Sequence, residues 1–424
     1  MGIPAPEHEL RLLFLSRPGI HVRYFRALAE ILPRSRVEAV RAVRRAEGNE
    51  FPADDILERL LRVHVARRFQ RAPRVFRYRL LRAIYLAHLR RAARRLYAHW
   101  LARLGRERGQ WDAVAVWNGL RYPDAVLVAA AREAGLPVVH FELGALPESL
   151  SIDLHGVNFD NSVPRTASFY LRHCEQLPPA TPLPLRPRRP RRGKRLEVAA
   201  LPERFLFAPF QVNYDTQIVA HSPWIGSMHH WYEVLAGVQQ RLRAEGDPRV
   251  IVLREHPSDM THYPDLHERA QRDGMLFANG NDMRELLDRM DVLLTINSST
   301  GIEALLRGRK VIVCGQAFYD IDGLVLRARD GDSLLAAIRE ADHWKPDGLL
   351  RERFLAWLEH EYYVPRFQPK GLASDDAAER REHQRRLELA IRRIHALLAP
   401  PATETQPHFH SRRGITAQEQ PARW

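Results

Sequence analysis

Short apolar runs alternating with amphipathic helical patterns constrain this chain most. LRLLFLS (10–16) leads through Arg17-Pro18-Gly19 into YFRALAEIL; DAVAVWNG (112–119) is followed by a helical pattern from about Pro123 to Ala134 and then by LPVVHFEL (136–143). Strands that alternate with helices predict a parallel sheet covered on both faces. The rhythm restarts with RFLFAPF (204–210), a helix from about Ser222 to Ala244, RVIVLREHP (249–257), MLFANG (275–280), MRELLDRM (283–290), DVLLTIN (291–297), a helix near 299–308 and KVIVCG (310–315). The expected fold class is α/β: two Rossmann-like, doubly wound domains facing a cleft, where ligands of open sheets bind at the strand C-terminal ends.

Between the two runs lies QLPPATPLPLRPRRPRRGKR (176–195), whose six prolines and missing apolar period read as a linker. At 424 residues the chain exceeds one ordinary core. The expected division is an N-terminal Rossmann-like domain (1–178) containing basic helices (56–106), a linker (179–200), a C-terminal Rossmann-like domain with closing helices (201–398) and a disordered tail (399–424).

The net charge of +14 is unevenly placed: residues 59–106 hold fifteen arginines and no acidic residue. Leu60, Leu61, Val63, Val65 and Phe69, then Leu80, Leu81, Ile84, Leu86 and Leu89, form stripes at near-helical spacing, giving two basic amphipathic helices broken near Pro73. Such helices suit an anionic lipid surface or a solvated arginine face on a packed domain. No nucleic-acid recognition module accompanies the arginines, so nucleic acid is not an expected partner. No apolar run reaches the roughly 18–20 residues that span a bilayer, and two cysteines without metal spacing suit a reducing compartment, so the expectation is cytoplasmic.

Three stretches carry candidate chemistry. In TINSSTGIEALLRGRKVIVCG (295–315), Asn297-Ser298-Ser299-Thr300-Gly301 lies where a strand meets a helix, which suits a phosphate cradle or a simple cap. Glu303 then suits a ribose diol or the helix dipole. In LREHPSD, His256 stands before Pro257 and after Arg254 and Glu255, in position to donate to a departing phosphate or to serve only as a loop residue. HFELGALPESLSIDLHGVNFDNSVPR (140–165) gathers Glu142, Glu148, Asp153, Asn158, Asp160 and Asn161 after a strand. Glu142 and Asp153 could converge as a carboxylate pair of the kind used on glycosidic centres, or serve only as a solvated loop. YDID (319–322) is too short a pattern for a metal site, and no P-loop, GxSxG or GxGxxG motif is present.

The blocks WNGLRYPDAVLVAAAREAG, FELGALPESLSIDLHGVNFDNSVPR, FAPFQVNYDTQI, LREHPSD and NSSTGIEALLRGRKVIVCGQAFYD resemble capsule polysaccharide biosynthesis proteins of the KpsS/LipB type over roughly residues 10–330. The resemblance implies a GT-B-like, retaining β-Kdo glycosyltransferase. It would move Kdo from CMP-Kdo to a lyso-phosphatidylglycerol-type glycolipid at the cytoplasmic face of the inner membrane, with no metal or other cofactor and with other capsule assembly proteins as further partners. His256-Pro257 and Ser298-Ser299 match its HP and SS motifs, expected on the CMP phosphate and ribose with Gln211, Arg254, Glu255, Asn297, Gly301 and Glu303. Asp153 is the expected nucleophile, Glu142 the acid/base or positioning group and Asp160 the reserve; Asn118, Arg121, Asn158 and Asp160 are expected on the acceptor side. Leu143 departs from the E-N-G pattern of the family. The other reading is a non-catalytic capsule assembly or export factor binding glycolipid or CMP-sugar.

Overall fold

The structure is a computed structural model that describes residues 9–181 and 198–399. The linker expected at 179–200 and the tail at 399–424 fall almost wholly outside these residues.

Among the described residues, twelve strands form two six-stranded sheets. The first contains β1 (Leu12–Ser16), β2 (Arg36–Ala39), β3 (Ala113–Trp117), β4 (Val138–Leu143), β5 (Ser149–Asp153) and β12 (Tyr363–Pro365), in the order β12-β5-β4-β3-β1-β2. The second contains β6 (Phe205–Pro209), β7 (Val250–Arg254), β8 (Leu276–Phe277), β9 (Val292–Thr295), β10 (Lys310–Val313) and β11 (Leu326–Arg327), in the order β11-β10-β9-β6-β7-β8. All pairs in the second sheet are parallel. In the first, β2, β1, β3 and β4 are parallel, whereas β5 pairs antiparallel with both β4 and β12.

Alternation at period two explains why both sheets are covered twice. Leu13 and Leu15 enter one core and Leu12 and Phe14 the other. Phe205 and Phe207 face opposite to Leu206 and Ala208. The helices used below are α1 (Ile20–Ile31), α2 (Asp54–Arg71), α3 (Pro73–Phe76), α4 (Arg79–Arg106), α5 (Asp124–Glu133), α6 (Ala167–His173) and α7 (Thr216–His221). The basic segment breaks at Pro73 as its sequence predicts. Leu57, Leu61 and Val65 of α2 and Leu89, Leu96 and Trp100 of α4 join the core under Leu13 and Leu15, so much of the segment is load on the first sheet. The first turns of α4 project beyond that core: Leu80 is 71% exposed and Ile84 58%.

Two expectations are corrected. The segment after β4 is not wholly irregular, because Ser149–Asp153 turns back as a strand on β4. The division at 201–398 also fails at its far end. Strand β12 adds to the first sheet beside β5, and the Ala377–Leu398 helix packs Leu387, Ala390 and Ile394 against Phe14, Phe141 and Ile152. Residues 363–398 therefore cross back and tie the halves together.

Candidate functional site

The C-terminal edges of both sheets meet around the short helix α7. Ser16 ends β1 and Trp117 ends β3, so Arg17, Asn118 and Glu142 project from three neighbouring parallel strands at one edge. Asn118 takes a left-handed conformation (φ 68°), which turns its amide to donate to Glu142 Oε2 at 2.6 Å. Glu142 Oε1 accepts the Leu143 N–H at 2.9 Å. Burial raises the Glu142 pKa above the ordinary value of 4.5, and the nearby Asp215 carboxylate adds to this while those two hydrogen bonds and Arg121 oppose it. Asp215 belongs to the opposing half, where it caps α7 through the Gln217 N–H.

At the other end of α7, Asp160 Oδ2 lies 3.7 Å from Nε2 of the buried His221. That nitrogen has no hydrogen-bond partner. Asp160 and Asn158 sit on a single 3-10 turn, with Asn158 at φ 59°. Phe159 packs its ring 5.8 Å from that of His221. The acidic loop after β5 therefore reaches the second half through Asp160.

Asp153 does not reach it. The side chain is 0% exposed and stands opposite His140 in the β4–β5 register, two residues back from Glu142. Its Oδ1 accepts the His155 N–H at 2.7 Å; its Oδ2 accepts Ser162 N–H, Ser162 Oγ and Tyr362 Oη at 2.8, 2.7 and 2.9 Å. Burial works to raise its pKa, but the hydrogen bonds from His155 and Ser162 outweigh it and hold the carboxyl far below the usual range. A fully enclosed anion with four donors is a structural tie between β5, the 155–165 loop and β12. This geometry removes the basis for the nucleophile expectation at Asp153.

In the second half, Gln211 and Asn297 clamp each other: Gln211 Nε2 donates to Asn297 Oδ1 at 3.0 Å and Gln211 Oε1 accepts the Asn297 N–H at 3.1 Å. Asn297 Nδ2 also donates to the Gln217 and His221 carbonyls at 3.0 Å each. Both side chains are buried, so they fix α7 against β6 and β9 rather than presenting free groups to a nucleotide. The expected cradle is divided. Ser298 Oγ accepts the Thr300 N–H at 3.2 Å as a local turn, while Ser299, half-exposed at the helix start, makes no capping bond. Gly301 is required by Tyr319: a Cβ there would lie 2.3 Å from Tyr319 Oη, which donates to the Ser298 carbonyl. Its small size is explained without a phosphate.

His256 Nδ1 accepts the Ser258 N–H at 3.1 Å, a bond that in the neutral ring leaves the proton on Nε2. Pro257 is half-buried beside it. Arg254 donates to the Asn281 carbonyl at 2.8 Å and Glu255 lies 2.6 Å from His267, so these two are engaged on the β8 side. Glu303 is half-buried in the first turn of its helix. Among the described residues no group of three or more His, Cys, Asp or Glu side chains is placed to hold a metal ion.

Arg17, Arg67, Tyr214, Asp215 and His221 were not singled out from sequence. Each is placed at the edge by the meeting of distant segments, and only Arg17, directly after a strand, carried a local signal.

The family model described as capsule polysaccharide biosynthesis protein matches residues 112–201 and 188–339. Protein FixF of Sinorhizobium fredii is 35% identical over 304 residues, covering 71% of this chain and 72% of its own. Capsule polysaccharide export protein KpsS of Escherichia coli is 31% identical over 165 residues, covering 37% of this chain and 40% of its own. Among solved structures, Thermosulfurimonas dismutans KpsC, named a beta Kdo 2,7 transferase, aligns at 13% identity and a TM-score of 0.45 over 83% of this chain and 92% of its own.

Proposed function

The chain belongs to the capsule polysaccharide biosynthesis family, and from that premise we propose that it is a retaining glycosyltransferase moving Kdo from CMP-Kdo to a lyso-phosphatidylglycerol-type glycolipid. The observation that carries the reading is the pair of carboxylates brought to the two ends of α7: Glu142 near Asp215 and Asp160 beside His221. Six residues of helix span about 9 Å, so the reading requires the two carboxylates to approach from those ends to the roughly 5 Å that a covalent relay uses.

In the first step the Asp160 carboxylate attacks the anomeric carbon. The bond from that carbon to the CMP phosphate oxygen breaks, and CMP leaves with the electron pair. His256 Nε2–H donates to the leaving phosphate. In the second step an acceptor hydroxyl attacks the same carbon, Glu142 takes its proton, and the ester to Asp160 breaks. Two inversions return the starting configuration.

The acceptor class is supported by the projecting tip of α3 and α4. Val75, Tyr78, Leu80, Leu81 and Ile84 are 52, 49, 71, 42 and 58% exposed. Among the described residues, Arg74, Arg77, Arg79 and Arg82 around them form no salt bridge. Apolar groups ringed by uncompensated arginines suit the headgroup region of an anionic leaflet. No helix among the described residues is long and apolar enough to cross a membrane.

The test is transfer itself. Purified protein, a CMP-Kdo-generating system and lyso-phosphatidylglycerol should give a lipid heavier by one octulosonate residue in the mass spectrum. Bound CMP-Kdo with no lipid product in any acceptor series would instead favour the non-catalytic assembly factor.

A further inference from the structure

We propose that Arg17, Arg67 and Arg121 form an oxyanion subsite on the first sheet's edge, holding an acidic group of the acceptor beside Glu142. The proposal rests on the transferase reading for the word acceptor, but the subsite itself is argued from its own geometry.

Arg17 follows β1 and Arg121 follows β3, adjacent parallel strands of which β3 pairs with β4, the strand of Glu142. Arg67 comes from α2, which packs across the boundary onto α7: its guanidinium lies 5.3 Å from the Tyr214 ring centre, and Gln70 Nε2 reaches the Gly226 carbonyl at 3.3 Å. The cluster is thus walled by both halves of the molecule.

The carboxylates around it are already engaged. Asp124 accepts from Arg17 at 3.1 Å, Glu142 takes Asn118 and the Leu143 N–H, and Asp215 caps α7. Three guanidiniums and three carboxylates balance in formal charge, but not in hydrogen bonds. Arg121 Nε is buried and has no partner, although each guanidinium carries five donors. A buried donor without an acceptor costs free energy that a ligand oxygen restores.

The surroundings agree with that geometry. Burial, reinforced by Arg67 and Arg17, pushes the Arg121 pKa down to about 10, as close, partly desolvated like charges do. Burial first and then Arg17 and Arg121 hold the neighbouring His21 down to about 4, so that ring is neutral. An oxyanion supplies what the cluster lacks: two or more acceptor atoms matched to the guanidinium fork, and negative charge where arginines crowd. Either the phosphate of a glycolipid or the carboxylate of an acidic sugar has this chemistry. Its place beside Glu142 would fix the acceptor hydroxyl relative to the base.

Trp117 provides a reporter, since its ring stacks on His21 at 4.2 Å. Full-length protein is titrated with inorganic phosphate and, separately, with acetate, each against chloride at equal ionic strength, following tryptophan fluorescence and the unfolding temperature. A saturable response is expected, stronger for phosphate if the lipid phosphate is the natural group and for acetate if a sugar carboxylate is. Arg121→Gln and Arg67→Gln should each weaken it about tenfold or more, and Arg121→Lys should retain part of it. Melting of the unliganded variants checks their folding. Arg17 is left intact because its pairing with Asp124 holds the edge.

In the transfer assay the same variants should raise the acceptor KM and leave the donor KM unchanged. Loss of ion binding in Arg121→Gln without any transferase activity in the wild type would keep the subsite and remove the transferase reading. No saturable response in the wild type, or one equal in Arg121→Gln, overturns the subsite whatever the enzyme does.

Discussion

Replacing Asp153 with Asn separates a structural carboxylate from a catalytic one. Placing the Asn oxygen where Oδ2 stands keeps acceptors for Ser162 N–H, Ser162 Oγ and Tyr362 Oη, but the new NH₂ then faces the His155 N–H, donor against donor. Each of the three surviving bonds loses its charge assistance, roughly 1 kcal/mol apiece, and the orphaned N–H adds about 1–3 kcal/mol, so the cost is on the order of 4–6 kcal/mol. That is a large part of the stability of an ordinary domain. The pH dependence has a definite sign. A carboxyl whose folded pKa is depressed contributes its full stabilisation above its unfolded value near 4, and loses it as pH falls toward the folded value. Urea unfolding followed by tryptophan fluorescence should give a lower midpoint for Asp153→Asn at pH 7. The gap from wild type should narrow at pH 3, where the native anion begins to lose its advantage. A variant with the wild-type midpoint and no transfer would refute the structural assignment and return Asp153 to the chemistry.

Two further outcomes follow from the same geometry. Binding to anionic liposomes should fall with salt. It should also fall steeply when Arg74, Arg77, Arg79 and Arg82 are replaced by Gln, each arginine contributing about 1 kcal/mol near a charged leaflet; equal binding to neutral vesicles contradicts the electrostatic docking of the tip. The acidic limb of kcat/KM should lie above 4.5, because Glu142 must be ionised to take the acceptor proton and burial raises its pKa. A limb at or below the ordinary glutamate value contradicts Glu142 as the base.

The architecture was legible because apolar period and turn residues are local. LLFLS, AVAVW, FLFAP and VLLT are strands that carry their own signal, and Pro73 breaks the basic segment by removing a donor and fixing its backbone. SLSID was not, since an antiparallel strand of five residues looks like a polar loop until Leu143 and Leu150 are seen opposite each other. The site was half legible for the same reason. Glu142 and Asn118 lie at strand ends, where position alone suggests exposure to a cleft. Asp153 and Asp160 are indistinguishable in sequence; Tyr362, arriving from more than two hundred residues away, helps to enclose the first, and His221 places the second at the boundary. Asn297 and Gln211 read as nucleotide ligands because their mutual clamp joins segments 86 residues apart.

The account turns on a covalent sugar held by Asp160 and released through Glu142. Incubating Glu142→Gln with CMP-Kdo and no acceptor, then measuring the intact protein mass, should show one octulosonate added per chain, with peptide mapping placing it on Asp160. An adduct on Asp153, or no adduct from a protein that still releases CMP, contradicts it.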